Sequence, residues 1–171
     1  IYLQFKEPKE LAKRKKKKIE HNFETKTEMW ITRQLYSLGS EDFSDIKQYI
    51  PDLSMEQITN VGKQDETSLN FFIELFDPHM PKYAMQYRIK NYIKLKEEGP
   101  WKDLINEIVK FPTILLIFPH HRKMNSVVQY IRDELERSYD SKGIRFLLTT
   151  YNKVITKGLA DPSIYQEIKE E

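Results

Sequence analysis

The sequence predicts an all-α protein built from serial helix-turn-helix units. One pattern recurs three times: an apolar run, a proline, a short polar turn and the start of a new helix, around Pro51, Pro78 and Pro119. Helix, tight turn and second helix in series are typical of repeated helix-turn-helix units. The chain has only five glycines in 171 residues and is 39% hydrophobic. This is enough apolar material for one moderate core or several small ones.

The N-terminal arm, residues 1 to 22, is basic, with eight Lys/Arg against three Glu. Its densest run consists of Lys13, Arg14, Lys15, Lys16, Lys17 and Lys18. Like charges at this density repel one another and stay solvated until they meet an anion. The run is predicted to contact phosphates or to direct nuclear import, and a merely solvated linker is the alternative.

Residues 23 to 64 are predicted to form three short helices. The first begins near Phe23 and ends at Gly39, the second runs from the capping Ser40 to Pro51, and the third begins at Ser54. Residues 23 to 79 carry four basic and eleven acidic side chains, a net charge of −7. An acidic module beside a basic arm is expected to face a different partner.

This segment resembles the SANT/Myb-like family of the homeodomain-like class over residues 20 to 64. The matching positions are Phe23, Gly39, Asp42, Phe43, Ile46, Pro51, Ser54 and Gln57. The resemblance implies a small three-helix bundle, with Phe23 where the family has a leading Trp. DNA-reading members carry basic residues in the third helix, whereas residues 55 to 66 hold three acids and one lysine. The unit therefore resembles the members that bind protein.

Residues 65 to 98 are predicted to form a second unit: a helix over 67 to 76, a turn, and a long helix over 82 to 98. The run from Gln86 to Tyr92 is similar to a Myb recognition helix. Met85, Ile89 and Tyr92 are expected to face inward. The predicted nucleic-acid contacts are Lys82, Gln86, Arg88, Lys90, Asn91 and Lys94. A plain solvated helix face is the alternative.

Residues 99 to 171 are predicted to form a third helical unit and amphipathic C-terminal helices. Gly99-Pro-Trp101 resembles the start of a Myb repeat, and the apolar run from Ile114 to Phe118 is either buried or an interface. A helix is predicted from Asn125 to about Arg137. Just before it, Arg122 and Lys123 are predicted to contact phosphate.

The stretch from Ser141 to Gly158 is predicted to be one amphipathic helix that binds a partner subunit, with packing on the body as the alternative. Its predicted contact residues are Ile144, Leu147, Leu148, Tyr151, Val154 and Ile155. Asp161 and Pro162 are then expected to open a last short helix.

No catalytic residue, cofactor or metal site is predicted. The chain has no cysteine, no glycine-rich phosphate loop and no zinc-type His-Glu-x-x-His, and no apolar run long enough to cross a membrane. The predicted function is a non-catalytic DNA- or chromatin-binding accessory subunit of a nuclear transcription, chromatin or nucleic-acid methyltransferase complex. Duplex DNA would bind the arm and the helix over 82 to 96. Protein partners would bind residues 23 to 64 and the C-terminal helix.

Two alternatives remain open at this point. One is a protein-interaction scaffold without nucleic-acid binding, which the net charge of −7 and the apolar runs favour. The other is an enzyme, or its regulatory domain, whose reactive residues lie outside this sequence.

Overall fold

A computed structural model describes residues 21–27, 51–59, 67–98 and 110–169. In these ranges the chain is an α/β protein. The strands are β1 (His21–Thr27), β2 (Leu53–Thr59), β3 (Thr67–Leu75), β4 (Thr113–Phe118), β5 (Arg145–Thr150) and β6 (Gln166–Lys169). The helices are α1 (Lys82–Glu98), α2 (His121–Arg137) and α3 (Tyr151–Lys157), followed by a 3-10 turn at Pro162–Ile164.

The six strands form one mixed sheet in the order β1-β2-β3-β4-β5-β6. Strand β2 pairs antiparallel with both β1 and β3. Strands β3, β4 and β5 are parallel to one another, and β6 is antiparallel to β5. Helices α1 and α2 connect the parallel strands in sequence, as parallel pairing requires a crossover.

Both faces of the central strands are covered. Phe72, Ile114 and Phe146 pack on one face with residues of α1 and α2. Ile73 and Leu115 pack on the opposite face with Val154 of α3 and the 3-10 turn. Buried strands of this kind read as continuous apolar runs.

The predicted all-α helix-turn-helix architecture is wrong. Helices were predicted to begin at Phe23, Ser54 and Thr67, but residues 21–27, 53–59 and 67–75 are strands of the sheet. The apolar run after Pro112 is the buried strand β4. The predicted C-terminal amphipathic helix is divided between β5 and the shorter α3.

The physical reason is burial on both sides. Phe72 in β3 and Phe76 just after it face α1 and α2, whereas Ile73 and Leu75 of β3 face α3. A short apolar run buried on two faces shows neither helical nor alternating periodicity, so periodicity alone cannot separate strand from helix. The sheet neighbours that decide between them are distant in sequence.

Several elements were predicted correctly. Helix α1 occupies residues 82–98, and Met85, Ile89 and Tyr92 are buried as expected. Helix α2 covers the predicted segment but begins four residues earlier, at His121. Gly158 ends α3 with a φ of 78°, a conformation that favours glycine.

The last turn also follows the prediction. The carboxylate of Asp161 accepts a hydrogen bond from the Ser163 N–H and caps the 3-10 turn. The predicted helix between Ser40 and Pro51 lies largely, and the one after Trp101 entirely, outside the described residues. None of the helices in the described ranges is long and apolar enough to cross a membrane.

Candidate functional site

Two carboxylates meet at one edge of the sheet, where the parallel strands end. Strand β2 runs antiparallel to β3 and therefore begins where β3 ends. Asp52 lies immediately before β2, and Glu74 is the penultimate residue of β3. The Leu75 N–H donates a hydrogen bond of 2.8 Å to Oδ2 of Asp52, which fixes this carboxylate against the end of β3.

Glu74 is a charged residue in a core position. It lies between Phe72 and Phe76 on the side of β3 that faces α1, and it is only 1% exposed. The Tyr92 hydroxyl donates a hydrogen bond of 2.6 Å to its Oε2 atom. Its Oε1 atom forms an ion pair with the guanidinium of Arg88 and has no hydrogen bond of ordinary geometry to another described residue. A buried carboxylate is costly unless it is paired in this way.

Arg88 connects the two acids. Besides its contact with Glu74, its guanidinium lies 3.5 Å from Oδ1 of Asp52. The arginine side chain is 42% exposed, whereas that of Glu74 is 2% exposed. We refer to Asp52, Glu74, Arg88 and Tyr92 as the acid cluster. Its arginine side is accessible to solvent, and its glutamate side is in the core.

Tyr92 is a hydrogen-bond donor in the acid cluster, and its hydroxyl keeps its proton. Burial, followed by the negative charge of Asp52, raises the pKa of its hydroxyl, and the positive charge of Arg88 opposes this shift only in part. The hydroxyl therefore stays protonated at physiological pH. Its hydrogen bond orients the Glu74 carboxylate.

Other side chains hold the same edge of the sheet together. The Tyr151 hydroxyl donates to the carbonyl of Phe76 (2.9 Å), and Nζ of Lys123 donates to the carbonyl of Met80 (2.6 Å). Burial and the charges of Asp52 and Asp77 raise the pKa of Tyr151. These contacts connect the ends of β3 and β5 and the start of α2. The acid cluster therefore lies where several elements are held together by hydrogen bonds.

The acid cluster has the residue types of a ligand site, but not a complete set of metal ligands. Within the described ranges, no group of three or more His, Cys, Asp or Glu residues is arranged to hold a metal ion. Carboxyl ends of parallel strands are the usual place for ligands in open α/β sheets. The acids and the arginine could together bind a cation and an anionic group.

A second feature is the solvent-facing side of α1, which we call the outer face: Tyr83, Tyr87, Lys90 and Lys94. Their positions, spaced by four, three and four residues, place them in one line along the helix. All four are exposed, with Tyr83 at 74% and Tyr87 at 56%. Nζ of Lys90 lies 3.7 Å from the carboxylate of Glu134 on α2. The outer face combines aromatic rings with positive charge.

The predicted nucleic-acid residues on α1 have different environments. Lys82, Lys90 and Lys94 are exposed, and Gln86 is half-buried. Arg88 points to the acid cluster. Asn91 is 5% exposed, so this position does not present an amide to a base edge.

The other residues predicted to contact phosphate also differ from one another in exposure. Arg122 is exposed in the first turn of α2. Lys123 is half-buried, and its ammonium group is engaged by the carbonyls of Asp77 and Met80. The basic run from Lys13 to Lys18 lies outside the described residues.

The residues predicted to bind a partner subunit lie mostly in the protein's own core. Of the six, Ile144, Leu148 and Val154 are buried, and Leu147 and Tyr151 are partly buried against the α3 side of the sheet. Ile155 alone of them is exposed, at 69%. The apolar residues that suggested a partner subunit are therefore mostly buried by other parts of the same chain.

Neither the acid cluster nor the two exposed tyrosines of the outer face were predicted from the sequence. Glu74 is the only charged residue in the run from Leu69 to Phe76, and a charge inside an apolar run is a signal of a functional or paired group. Tyr83 and Tyr87 share the helical spacing of Lys90 and Lys94. The predicted contacts Lys82, Gln86, Lys90 and Lys94 are spaced four residues apart, and this spacing omits both tyrosines.

Comparison with known proteins adds no relative to this description, since no family model, curated protein sequence or solved structure matches the chain.

Proposed function

We propose that this chain is a nucleic-acid-binding accessory domain and that the outer face of α1 contacts the phosphate backbone. The observation that supports the proposal is that Lys90 and Lys94 lie in line with two exposed tyrosines on one helix. Lysines supply the attraction to phosphates, and tyrosines can contact sugars or bases. A nuclear location and membership of a larger complex remain part of the prediction from sequence.

Charge on the neighbouring surface adds to this proposal. Helix α1 carries five basic residues and two acidic ones. Helices α1 and α2 each follow a strand of the parallel set and begin at the same edge of the sheet. Exposed Lys82 and Arg122 therefore lie at this edge, where the helix N-termini also favour anions.

The test is the salt dependence of binding by a variant with Lys90→Gln and Lys94→Gln. Fluorescence anisotropy with a labelled nucleic acid of about 20 bases is expected to show weaker binding and a log-log salt slope reduced by about 2, one for each lost phosphate contact. Glutamine avoids placing a new acid beside Glu134, so the fold is expected to persist.

A matched control is the variant with Lys157→Gln and Lys169→Gln. Both lysines are exposed. Lys157 lies on α3, which packs on the opposite face of the sheet from α1, and Lys169 ends β6, where its neighbour Ile168 faces the α1 and α2 side. This variant loses the same charge and is expected to keep the wild-type salt slope. Equal losses in the two variants, or no loss in either, would contradict a specific role of the outer face.

A second candidate function is metal-assisted phosphodiester hydrolysis at the acid cluster. The observation that favours it is the buried Glu74 beside Asp52 at the carboxyl edge of the parallel strands. Carboxylates can hold a divalent cation, and an arginine can stabilise the charge on a phosphoryl group. Magnesium often uses only one or two protein carboxylates and completes its shell with water and substrate phosphate. Binding a cation here would require Arg88 to move away from Asp52.

For this candidate we expect magnesium-dependent cleavage of DNA or RNA that is lost in Asp52→Asn and in Glu74→Gln. Gel analysis of single-stranded and duplex substrates with and without magnesium measures the activity, and circular dichroism verifies that each variant is folded. Cleavage that persists in both folded variants, or its absence from the wild-type chain, would exclude the acid cluster as a hydrolytic centre.

A further inference from the structure

We infer that the outer face selects single-stranded nucleic acid, by stacking unpaired bases on Tyr83, Tyr87 and a third tyrosine, Tyr139. This inference rests on the proposed function and specifies its substrate class. Three of the five large hydrophobic side chains exposed in the described ranges are these tyrosines. Exposing an aromatic ring to water is unfavourable, and a nucleic-acid base that stacks on the ring removes this apolar surface from water.

Tyr139 extends the outer face to the far end of α1. It follows α2, is 82% exposed, and its hydroxyl donates to the carbonyl of Glu97 (3.3 Å). Its neighbours hold it there, since Ser138 donates to the Glu97 carboxylate and Lys96 donates to Asp140 (2.8 Å). At 1.5 Å per residue, the helix from Tyr83 to Glu97 is about 21 Å long. This length accommodates several nucleotides.

The spacing of the rings favours unpaired bases. Tyr83 and Tyr87 are one turn apart, a rise of about 6 Å, whereas successive bases in a duplex strand are about 3.4 Å apart. In a duplex the ring faces of the bases are covered by their neighbours, so a surface tyrosine cannot stack on them. In a single strand the bases are open, and two bases that separate from each other can each cover one tyrosine ring.

The charges along the outer face complement this substrate. Lys90 and Lys94 lie between the tyrosine pair and Tyr139, where a backbone connecting the stacked bases would run. Two acids near these lysines, Glu97 and Glu134, are already engaged within the fold. Glu97 accepts from Ser138, and Glu134 pairs with Arg137 (3.2 Å) as well as approaching Lys90. The tyrosines that can stack on bases are therefore next to lysines that can contact the backbone. This is the usual arrangement in proteins that bind single strands.

The experiment compares three labelled probes of about 15 nucleotides: single-stranded DNA, the same sequence as a duplex, and single-stranded RNA. Anisotropy is measured with the wild-type chain, Tyr83→Ala with Tyr87→Ala, the same pair changed to Phe, and Tyr139→Ala. Ile155→Ala is the matched control, because it removes an apolar side chain of similar exposure from α3. A difference in affinity between the two single-stranded probes would identify RNA or DNA as the preferred ligand.

We expect a single strand to bind at least about tenfold more tightly than the duplex. The double alanine variant is expected to lose about 25-fold or more in single-strand affinity, since each stacked base contributes roughly fivefold or more. Tyr139→Ala is expected to lose about fivefold. The Phe pair and Ile155→Ala are expected to retain the wild-type affinity.

Equal or tighter binding of the duplex overturns the inference, as does single-strand affinity that is unchanged by the double alanine variant. If this affinity still falls in the Lys90→Gln and Lys94→Gln variant, the proposed function stands and only the single-strand preference fails. If the chain binds none of the probes at low salt, both the proposed function and the inference fail.

Discussion

Replacing Arg88 with methionine is expected to lower the free energy of unfolding by about 3 kcal/mol near neutral pH. The substitution leaves the Glu74 carboxylate almost fully buried, and the Tyr92 hydroxyl is then its one partner among the described residues. Removal of one member of a buried ion pair is costly because the remaining charge is uncompensated. Since the Arg88 side chain is 42% exposed, we expect the lower end of the usual range. Urea unfolding followed by circular dichroism measures the change.

Arg145→Met is the matched control, because Arg145 also pairs with a glutamate, Glu167, but the two side chains are 50% and 37% exposed. An exposed ion pair contributes between zero and about 1 kcal/mol, so this variant is expected to be nearly as stable as the wild type. Losses of equal size in the two arginine variants would contradict the account of Glu74 as a buried charge held by Arg88.

The Arg88→Met variant is also expected to recover stability as the pH falls. Without its cation, the buried carboxyl of Glu74 favours the protonated form more strongly in the folded than in the unfolded chain. A group of this kind destabilises the fold as the pH rises above its unfolded value, about 4.3, and the deficit disappears below it. Adding Glu74→Gln to the variant is expected to restore stability at neutral pH as well, since a neutral amide needs no cation.

The sequence predicted helices better than strands. Helix α1 has clear inward positions at Met85, Ile89 and Tyr92, so local periodicity was enough to locate it. Strand β3 contains Phe72 and Ile73 on opposite buried faces, and this pattern has no single apolar side. What makes residues 67 to 75 a strand is hydrogen bonding to β2 and β4, and β4 lies about 40 residues away in the chain. Local propensity could not include that information.

The acid cluster was hidden for a related reason. Asp52 and Glu74 are 22 residues apart, and only the antiparallel pairing of β2 with β3 brings them to one edge. When both segments are read as helices, the two acids have no reason to meet. The outer face, in contrast, lies within one correctly predicted helix. Tyr83 and Tyr87 could have been identified from spacing alone, because the exposed positions of a helix follow once its buried positions are fixed.

Leu148→Ala is expected to lower the free energy of unfolding by about 2 to 5 kcal/mol, the second large effect. The sequence placed Leu148 and Ile155 together on one helix face that binds a partner. The structure separates them: Leu148 is fully buried in β5, and Ile155 is exposed on α3. Removing three carbon atoms from a packed core leaves a cavity that the neighbours fill only in part.

Ile155→Ala is the control for this experiment and is expected to change stability by no more than about 0.5 kcal/mol. Urea unfolding distinguishes the two variants through the midpoint, while an unchanged slope shows that the same amount of surface becomes exposed. If both residues lay on an exposed helix face that binds a partner, both substitutions would change the unfolding free energy of the isolated chain by small and similar amounts. A large effect at Leu148 alone instead requires that β5 lies inside the sheet, between β4 and β6, and that the apolar C-terminal segment completes the core of this protein.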